Sequence, residues 1–354
     1  MMDKLVSQAP RNTSVSDSET ARHRLLFAGL GALTLIAFVV SLGVGPAQLG
    51  IGRAIGALFG GGGGGETAET ARLIMREIRL PRALLGLLIG GALGLSGAAL
   101  QGYLRNPLAE PGLIGVSGGA TLGAVLAIHT GATAAFAMAL PLMGLAGALL
   151  AALGVLALAG LSGGPLTLIL GGVAISSLTG ALTSLALNLS ANPFAATEML
   201  FWMLGSLNDR SLVHVALAAP LILPGLGLLL ASARGLEALT LGDEAAASLG
   251  VDLQRTRNLV IAGTALSIGA ATAVAGTISF VGLVVPHLLR PLVGHSPARL
   301  LPASLLGGAA LVLIADVAVR LFPEHDVKLG VLTALIGAPL FAWLVIKSRP
   351  ELGP

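Results

Sequence analysis

The chain has 354 residues, of which 55% are hydrophobic and only 10% charged, with a mean hydropathy of +0.91. Soluble domains carry about 25% charged residues, so this chain lacks the polar surface to face water on all sides and reads as a protein of the lipid bilayer. The net charge of +3 comes without a basic face interleaved with aromatics, so the basic ends fit the positive-inside rule better than nucleic-acid binding, and the absence of cysteine excludes disulfides, iron–sulfur clusters, thiolate haem ligation and cysteine zinc sites on this chain.

In chain order, a polar tail over 1–24 carries Lys4, Arg11, Arg22 and Arg24 and leads into an apolar run. That run is long and no Ala-x-Ala site closes it, so it reads as a first transmembrane helix rather than a signal peptide. With about 20 apolar residues needed per crossing, ten spans are predicted: 25–45, 81–103, 112–131, 134–160, 166–190, 211–232, 257–277, 279–294, 300–321 and 328–347, the eighth short enough to be a broken helix. The expected fold is all-α: one ten-helix transmembrane domain over 25–347, with a C-terminal tail over 348–354. The six-glycine run Gly60–Gly65 reads as a flexible linker or tolerant loop. In the second span, Gly86, Gly90 and Gly94 recur at intervals of four, the spacing that lets helix backbones approach closely in lipid.

Between spans two and three, "RNPLAEP" (105–111) places two prolines where a continuous helix is impossible. After span five, Met199, Leu200, Trp202, Met203 and Leu204 predict a short apolar helix, suited either to packing or to a large apolar ligand. Between spans six and seven lies a polar island, "LGDEAAASLGVDLQRTRN". It predicts a short helix capped by Asp243, a glycine corner with Gly250 left-handed, and a second helix capped by Asp252. A loop that only joins two spans needs about four residues; the island over 241–256 reads as a rigid knob offered to a partner. Asp316 lies well inside a span, with Arg320 four residues on and on the same face, the pattern of a helix-end ion pair.

If both termini lie on one side, that side holds 12 of the lysines and arginines and the other holds 8, a bias toward cytoplasmic termini. Five of the 8 fall between Arg53 and Arg82 and need a separate account. Three Gly-x-Ser-Gly matches, at 94–97, 115–118 and 160–163, have no histidine in mid-span to act as a base, so serine catalysis is set aside. No Gly-x-x-x-x-Gly-Lys-Ser/Thr phosphate loop exists, so ATP-driven work would require another subunit. A secondary carrier driven by ions would be expected to bury more carboxylates than this chain does.

Several long blocks carry a resemblance. The island, "IRLPRALLGLLIGGALGLSGAALQGYLRNPLAEPGLIGVSGGA" (78–120), "GTISFVGLVVPHLLR" (276–290) and "GVLTALIGAPLFAWLVIK" (330–347) are together similar to the FecCD-type permease subunits of ATP-binding-cassette importers for vitamin B12, iron siderophores and haem. The resemblance covers nearly all of the chain after the polar tail. It implies a vitamin B12-importer permease-like bundle in a bacterial inner membrane, with cytoplasmic termini. The expected partners are a second copy of the chain, two ATP-binding subunits and a periplasmic binding protein, besides membrane lipid. This chain would bind no cofactor; ATP and Mg would sit on the ATPase. By position, Arg79, Arg82 and Arg320 would dock the binding protein, and Asn106 and Leu108 would form part of a cytoplasmic gate. Gly242, Asp243, Glu244, Ser248, Gly250 and Asp252 would couple the permease to the ATPase. In "SGGPLT" (162–167), Pro165 and Leu166 replace the small hydroxyl residues of some relatives, so no second gate residue is assigned. The segment 194–211 and the block 300–308 look most like the haem branch, which makes an iron-containing chelate, haem first, the expected cargo; a ferric siderophore, vitamin B12 or an ion-coupled carrier are the alternatives.

Overall fold

A computed structural model describes residues 13–45, 66–160, 163–322 and 326–348, with single positions 52 and 56. The glycine run 60–65, Arg53, most of the N-terminal tail and residues 349–354 lie outside the described residues. Among the described residues the regular structure is helical throughout. Seven helices are long and apolar enough to cross a membrane, and three shorter apolar helices bring the number to the ten expected.

Helix α1 (Thr13–Gly43) starts earlier than its apolar run, so part of the expected tail is helical. Helix α2 (Glu66–Leu73) passes through a wide π turn at Ile74–Arg79 directly into α3 (Leu80–Tyr103), making one continuous rod where the sequence predicted a span beginning near 81. A loop and a short 3-10 turn (Pro111–Ile114) then lead to α4 (Val116–His129), which is only 14 residues long. There follow α5 (Ala139–Ala159), α6 (Pro165–Asn188) and the predicted short helix α7 (Pro193–Met203). Helix α8 (Leu212–Ala231) is extended by α9 (Ala233–Leu239), and the island follows as α10 (Asp243–Ser248). Helix α11 (Leu253–Ala275) leads to α12 (Val281–Leu289), the broken eighth span, which ends in a 3-10 turn. The last two are α13 (Pro297–Arg320) and α14 (Leu329–Ser348).

Helix α3 is the axis of the bundle. It is buried along almost its whole length and packs against α13, α11, α8 and α12. Its glycines explain how. Gly90 lies on the backbone of Gly308 and Ala309, and Gly94 lies on the carbonyl of Ser304, so a β-carbon at either place would collide with the backbone of α13. In lipid, where apolar side chains gain little by leaving one apolar medium for another, such backbone-level dispersion contacts hold helices together. By contrast α1, α5, α6 and α8 leave most of their surface open, as helices facing lipid or a neighbouring subunit do.

Cross-links fix which ends lie together. His23 meets Arg299 at 3.3 Å, Arg105 meets Asp243 at 2.8 Å, and Glu237 accepts from the Ser296 hydroxyl at 3.1 Å. These mark the face on which α1 begins, here the terminal face. At the opposite face, Arg79 and Arg320 donate to the end of α1, and the Gly330 amide donates to the Gly205 carbonyl at 3.1 Å.

Candidate functional site

On the terminal face, the island is built much as its sequence implies, with one difference. Gly250 is left-handed (φ 78) and closes α10, and the Asp252 carboxylate accepts from the Arg255 amide at 2.9 Å, capping α11. The cap of α10, however, is Gly242, whose φ of 96 suits only glycine. Asp243 is the first helical residue, and its carboxylate is turned sideways to Arg105 in an exposed ion pair of 2.8 Å. Glu244 is exposed, and Ser248 is exposed with its hydroxyl returned to the Glu244 carbonyl at 2.9 Å. Only Ala246 of α10 is buried, so the short helix stands out from the bundle with nearly all its surface free.

The loop after α3 runs from this island into the bundle. Asn106 is exposed and its side-chain oxygen accepts from the Leu108 amide at 2.9 Å, a local clasp that, with Pro107, stiffens the turn; Leu108 is half-buried. Further along, Glu110 reaches across to the start of α12, where it accepts from the Phe280 amide at 2.6 Å. Burial pushes the Glu110 carboxyl above its usual range, and the Phe280 amide draws it back. Beside it, buried Gln101 donates to the carbonyls of Ala109 at 3.3 Å and Gly282 at 3.2 Å and accepts from the Arg290 guanidinium at 2.6 Å. Sequence reasoning missed this knot of Gln101, Glu110 and Arg290. A glutamine near the end of an otherwise apolar, glycine-rich span was the signal available, because a buried amide needs partners.

At the opposite face the three expected rim arginines are drawn together and turned inward. Arg82 makes a bidentate pair with Asp316, its Nε and Nη2 lying 3.0 and 2.8 Å from the carboxylate. Arg320 pairs with the same carboxylate at 3.0 Å and also donates to the carbonyls of Ser41 and Val44 at 2.8 and 2.7 Å. Arg79 is 3% exposed and donates to the carbonyls of Leu42 and Gly43, both at 2.9 Å. The end of α1 is thus capped by two guanidinium groups, where its macrodipole is negative. Asp316 is 1% exposed and is the ion-pair partner expected for Arg320; Arg82 is its second partner. Arg82 and Arg320 are only 13% and 6% exposed at their side chains, so in this conformation the forks expected to grip another protein are occupied within the chain. Arg76 of the same cluster behaves differently: it is exposed beside Glu77.

Helix α7 divides its apolar residues between two tasks. Met199 and Trp202 are buried against α4 and α6, whereas Phe194, Leu200, Phe201 and Leu204 are exposed. Next to its end, a cavity of about 590 Å³ is lined by Met203, Leu204, Thr277, Ser279 and the first half of α14. Its wall is apolar apart from Thr277 and Ser279. Among the described residues no group of three or more His, Asp or Glu side chains is placed to hold a metal. His214 is engaged in capping α8 with Ser211, and the Nδ1 of His129 is buried at the end of α4.

Comparison with known proteins identifies the family. The profile of the FecCD transport family matches residues 33–347. The sequence is 41% identical over 279 residues to the cobalamin import system permease protein BtuC of Halobacterium salinarum, spanning 78% of this chain and 74% of that one. It is 38% identical over 342 residues to the ferric enterobactin transport system permease protein FepD of Escherichia coli, spanning 94% and 98%. It is 40% identical over 279 residues to the Fe(3+) dicitrate transport system permease protein FecD of the same organism, spanning 78% and 86%. Among solved structures, an inward-facing conformation described as a metal-chelate type ABC transporter superposes with a TM-score of 0.78 at 32% identity, covering 92% of this chain and 99% of that one.

Proposed function

The chain belongs to the FecCD transport family and is a multi-pass membrane permease of an ABC importer, and we propose that it forms, with a second copy of itself, the path by which an iron chelate is imported across a bacterial inner membrane. The cargo class is that of the relatives: vitamin B12, a siderophore or another chelate. Within it, haem is our first candidate. Phe194, Leu200 and Phe201 of α7 are exposed, and Leu204 just after it lines the 590 Å³ cavity, whose largely apolar wall suits a flat, largely apolar ring.

The observation that carries the importer reading is α10. A short polar helix that buries one residue of six adds little to the bundle's own stability, yet it is bounded by Gly242 and a left-handed Gly250, and the Asp252 cap starts the next helix directly behind it. Such a knob serves a partner, and the partner that this chain lacks is one that hydrolyses ATP. Two ATP-binding subunits, holding ATP and Mg, would receive Asp243, Glu244 and Ser248 on the cytoplasmic side, and Asn106 and Leu108 would close the path just above them. A periplasmic binding protein would dock on the opposite face, over Arg79, Arg82 and Arg320. Since these side chains are engaged with Asp316 and the end of α1, their contribution to docking is to hold that face in shape.

The test is uptake by sealed vesicles carrying the permease and its ATPase, with binding protein loaded with haem, a ferric siderophore or a corrinoid. Import that needs ATP and favours haem is the expected result. Import driven by an ion gradient without the ATPase would refute the reading, and preference for a corrinoid or siderophore would correct the cargo alone.

A further inference from the structure

We propose that Glu110 is a positioning residue that passes the movement of α10 to the broken helix α12 and so to the wall of the 590 Å³ cavity; what moves α10 is the ATPase of the importer reading above. The loop 105–110 spans the distance between the two helices and is tied at both ends. At its outer end Arg105 holds Asp243, the first residue of α10, at 2.8 Å. At its inner end Glu110 holds the Phe280 amide at 2.6 Å. Between them the loop has little freedom to absorb a displacement, because Pro107 fixes one backbone angle and the Asn106 side chain clasps Leu108.

The far end of the connection is poised to respond. Phe280 has a φ of 68, a conformation that non-glycine residues hold only when their surroundings impose it. Glu110 supplies that constraint from below, and α14 supplies it from the side, where Gly337 lies directly on the Phe280 side chain. Helix α14 and the strained segment before α12, through Thr277, Ser279 and Val331, line the cavity. Gln101, buried in the last turn of α3, gives the loop a pivot: it joins the Ala109 carbonyl to Gly282 and Arg290. A push on α10 therefore passes along the loop from the Arg105–Asp243 pair and meets the Phe280 turn at the Glu110 carboxylate.

Two measurements decide this. In the permease purified alone, amide hydrogen exchange is followed over 276–285. Arg105→Ala, in the loop outside α12, is expected to speed exchange there by about twofold or more, and to add nothing when Glu110→Ala is already present. Glu110→Gln, which keeps an acceptor oxygen, is expected to retain the parent's protection. In vesicles with the ATPase and loaded binding protein, Glu110→Ala is expected to lower the chelate imported per ATP hydrolysed by roughly fivefold, with Glu110→Gln recovering most of it. Exchange over 276–285 that is indifferent to Arg105→Ala overturns the proposal, as does a Glu110→Ala complex in which import and hydrolysis fall in proportion. Should Glu110→Ala not assemble, the response to Arg105→Ala alone decides. A parent complex that does not import under ATP refutes the importer reading instead, and the exchange comparison, which needs no ATPase, still judges Glu110.

Discussion

The two polar clusters at opposite faces of the bundle use charge in opposite ways. Around Asp316, three arginines are turned inward, and Arg79, Arg82 and Arg320 find their partners in one carboxylate and the carbonyls at the end of α1. Around α10, acids and hydroxyls are turned outward, and the one ion pair, Arg105 with Asp243, is about half exposed at both side chains. The first arrangement is a fastening: it joins α1, α3 and α13 through buried side chains, where an unpaired charge would be costly. The second is an offering, held in shape by glycine corners and a cap, with its charged side chains largely exposed. The side of the membrane on which a charge falls does not reveal which of these it is; the direction of the side chain does.

The largest effect that sharpens this contrast is expected from reversing Arg79 and Arg82 together to Glu. Two carboxylates would then face Asp316 and the carbonyls of α1, and the bundle should lose on the order of 5 kcal/mol or fail to assemble. Thermal unfolding in detergent reads this, and the loss should change little with salt because the site is buried. A stable double variant whose only defect is salt-dependent docking of the binding protein would show that the arginines face outward in the working state. Next comes Asp316→Asn, which leaves Arg82 and Arg320 without their shared carboxylate and should cost about 3–5 kcal/mol. The pH profile of uptake should stay where it is; a displaced profile at equal protein level would make Asp316 a proton carrier.

On the other face the effects on stability shrink while those on function grow. Gly250 is left-handed with open space where a β-carbon would lie, so Gly250→Val meets only backbone strain, about 1–2 kcal/mol, confined to the knob. The permease should insert and unfold nearly as before, while ATP hydrolysis in the complex loses its coupling to import. Normal ligand-stimulated import by this variant would end the reading of α10 as the coupling element. The smallest stability effect belongs to Arg105→Ala, which removes an exposed pair and should cost no more than about 0.2–1 kcal/mol, vanishing in high salt. A loss that persists at high salt would place this pair with the fastenings.

Much of this was legible in the sequence where the signal is local. Helix periodicity and hydropathy yield ten spans; Asp316 and Arg320 stand one turn apart; Gly250 and Asp252 sit where a helix must end and another begin. What was not legible depends on partners far apart in the chain. Arg82 and Asp316 are 234 residues apart, so Arg82 looked like a surface charge when it is half of a buried ion pair. Asp243 looked like a helix cap because acids cap helices, but Arg105, 138 residues away, competes for its carboxylate, and Gly242 takes the cap position. Glu110 passed unnoticed inside a proline-rich loop because its one telling contact is with the backbone of Phe280, and a backbone amide leaves no mark in a sequence.

The glycines of α3 have a bearing on the arginine cluster that neither feature shows alone. Helices α3 and α13 run antiparallel, and their contacts step along both chains in fours: Gly94 against Ser304, Gly90 against Gly308, and then, two turns further up, Arg82 against Asp316. The ion pair is the top rung of a ladder whose lower rungs have no side chain on the α3 rail. The gauge of the ladder is set where the rails touch, and the guanidinium merely spans the width it is given. Widening a lower rung by so much as a methyl group would therefore pry at a charge pair about 12 Å away along the helix axis.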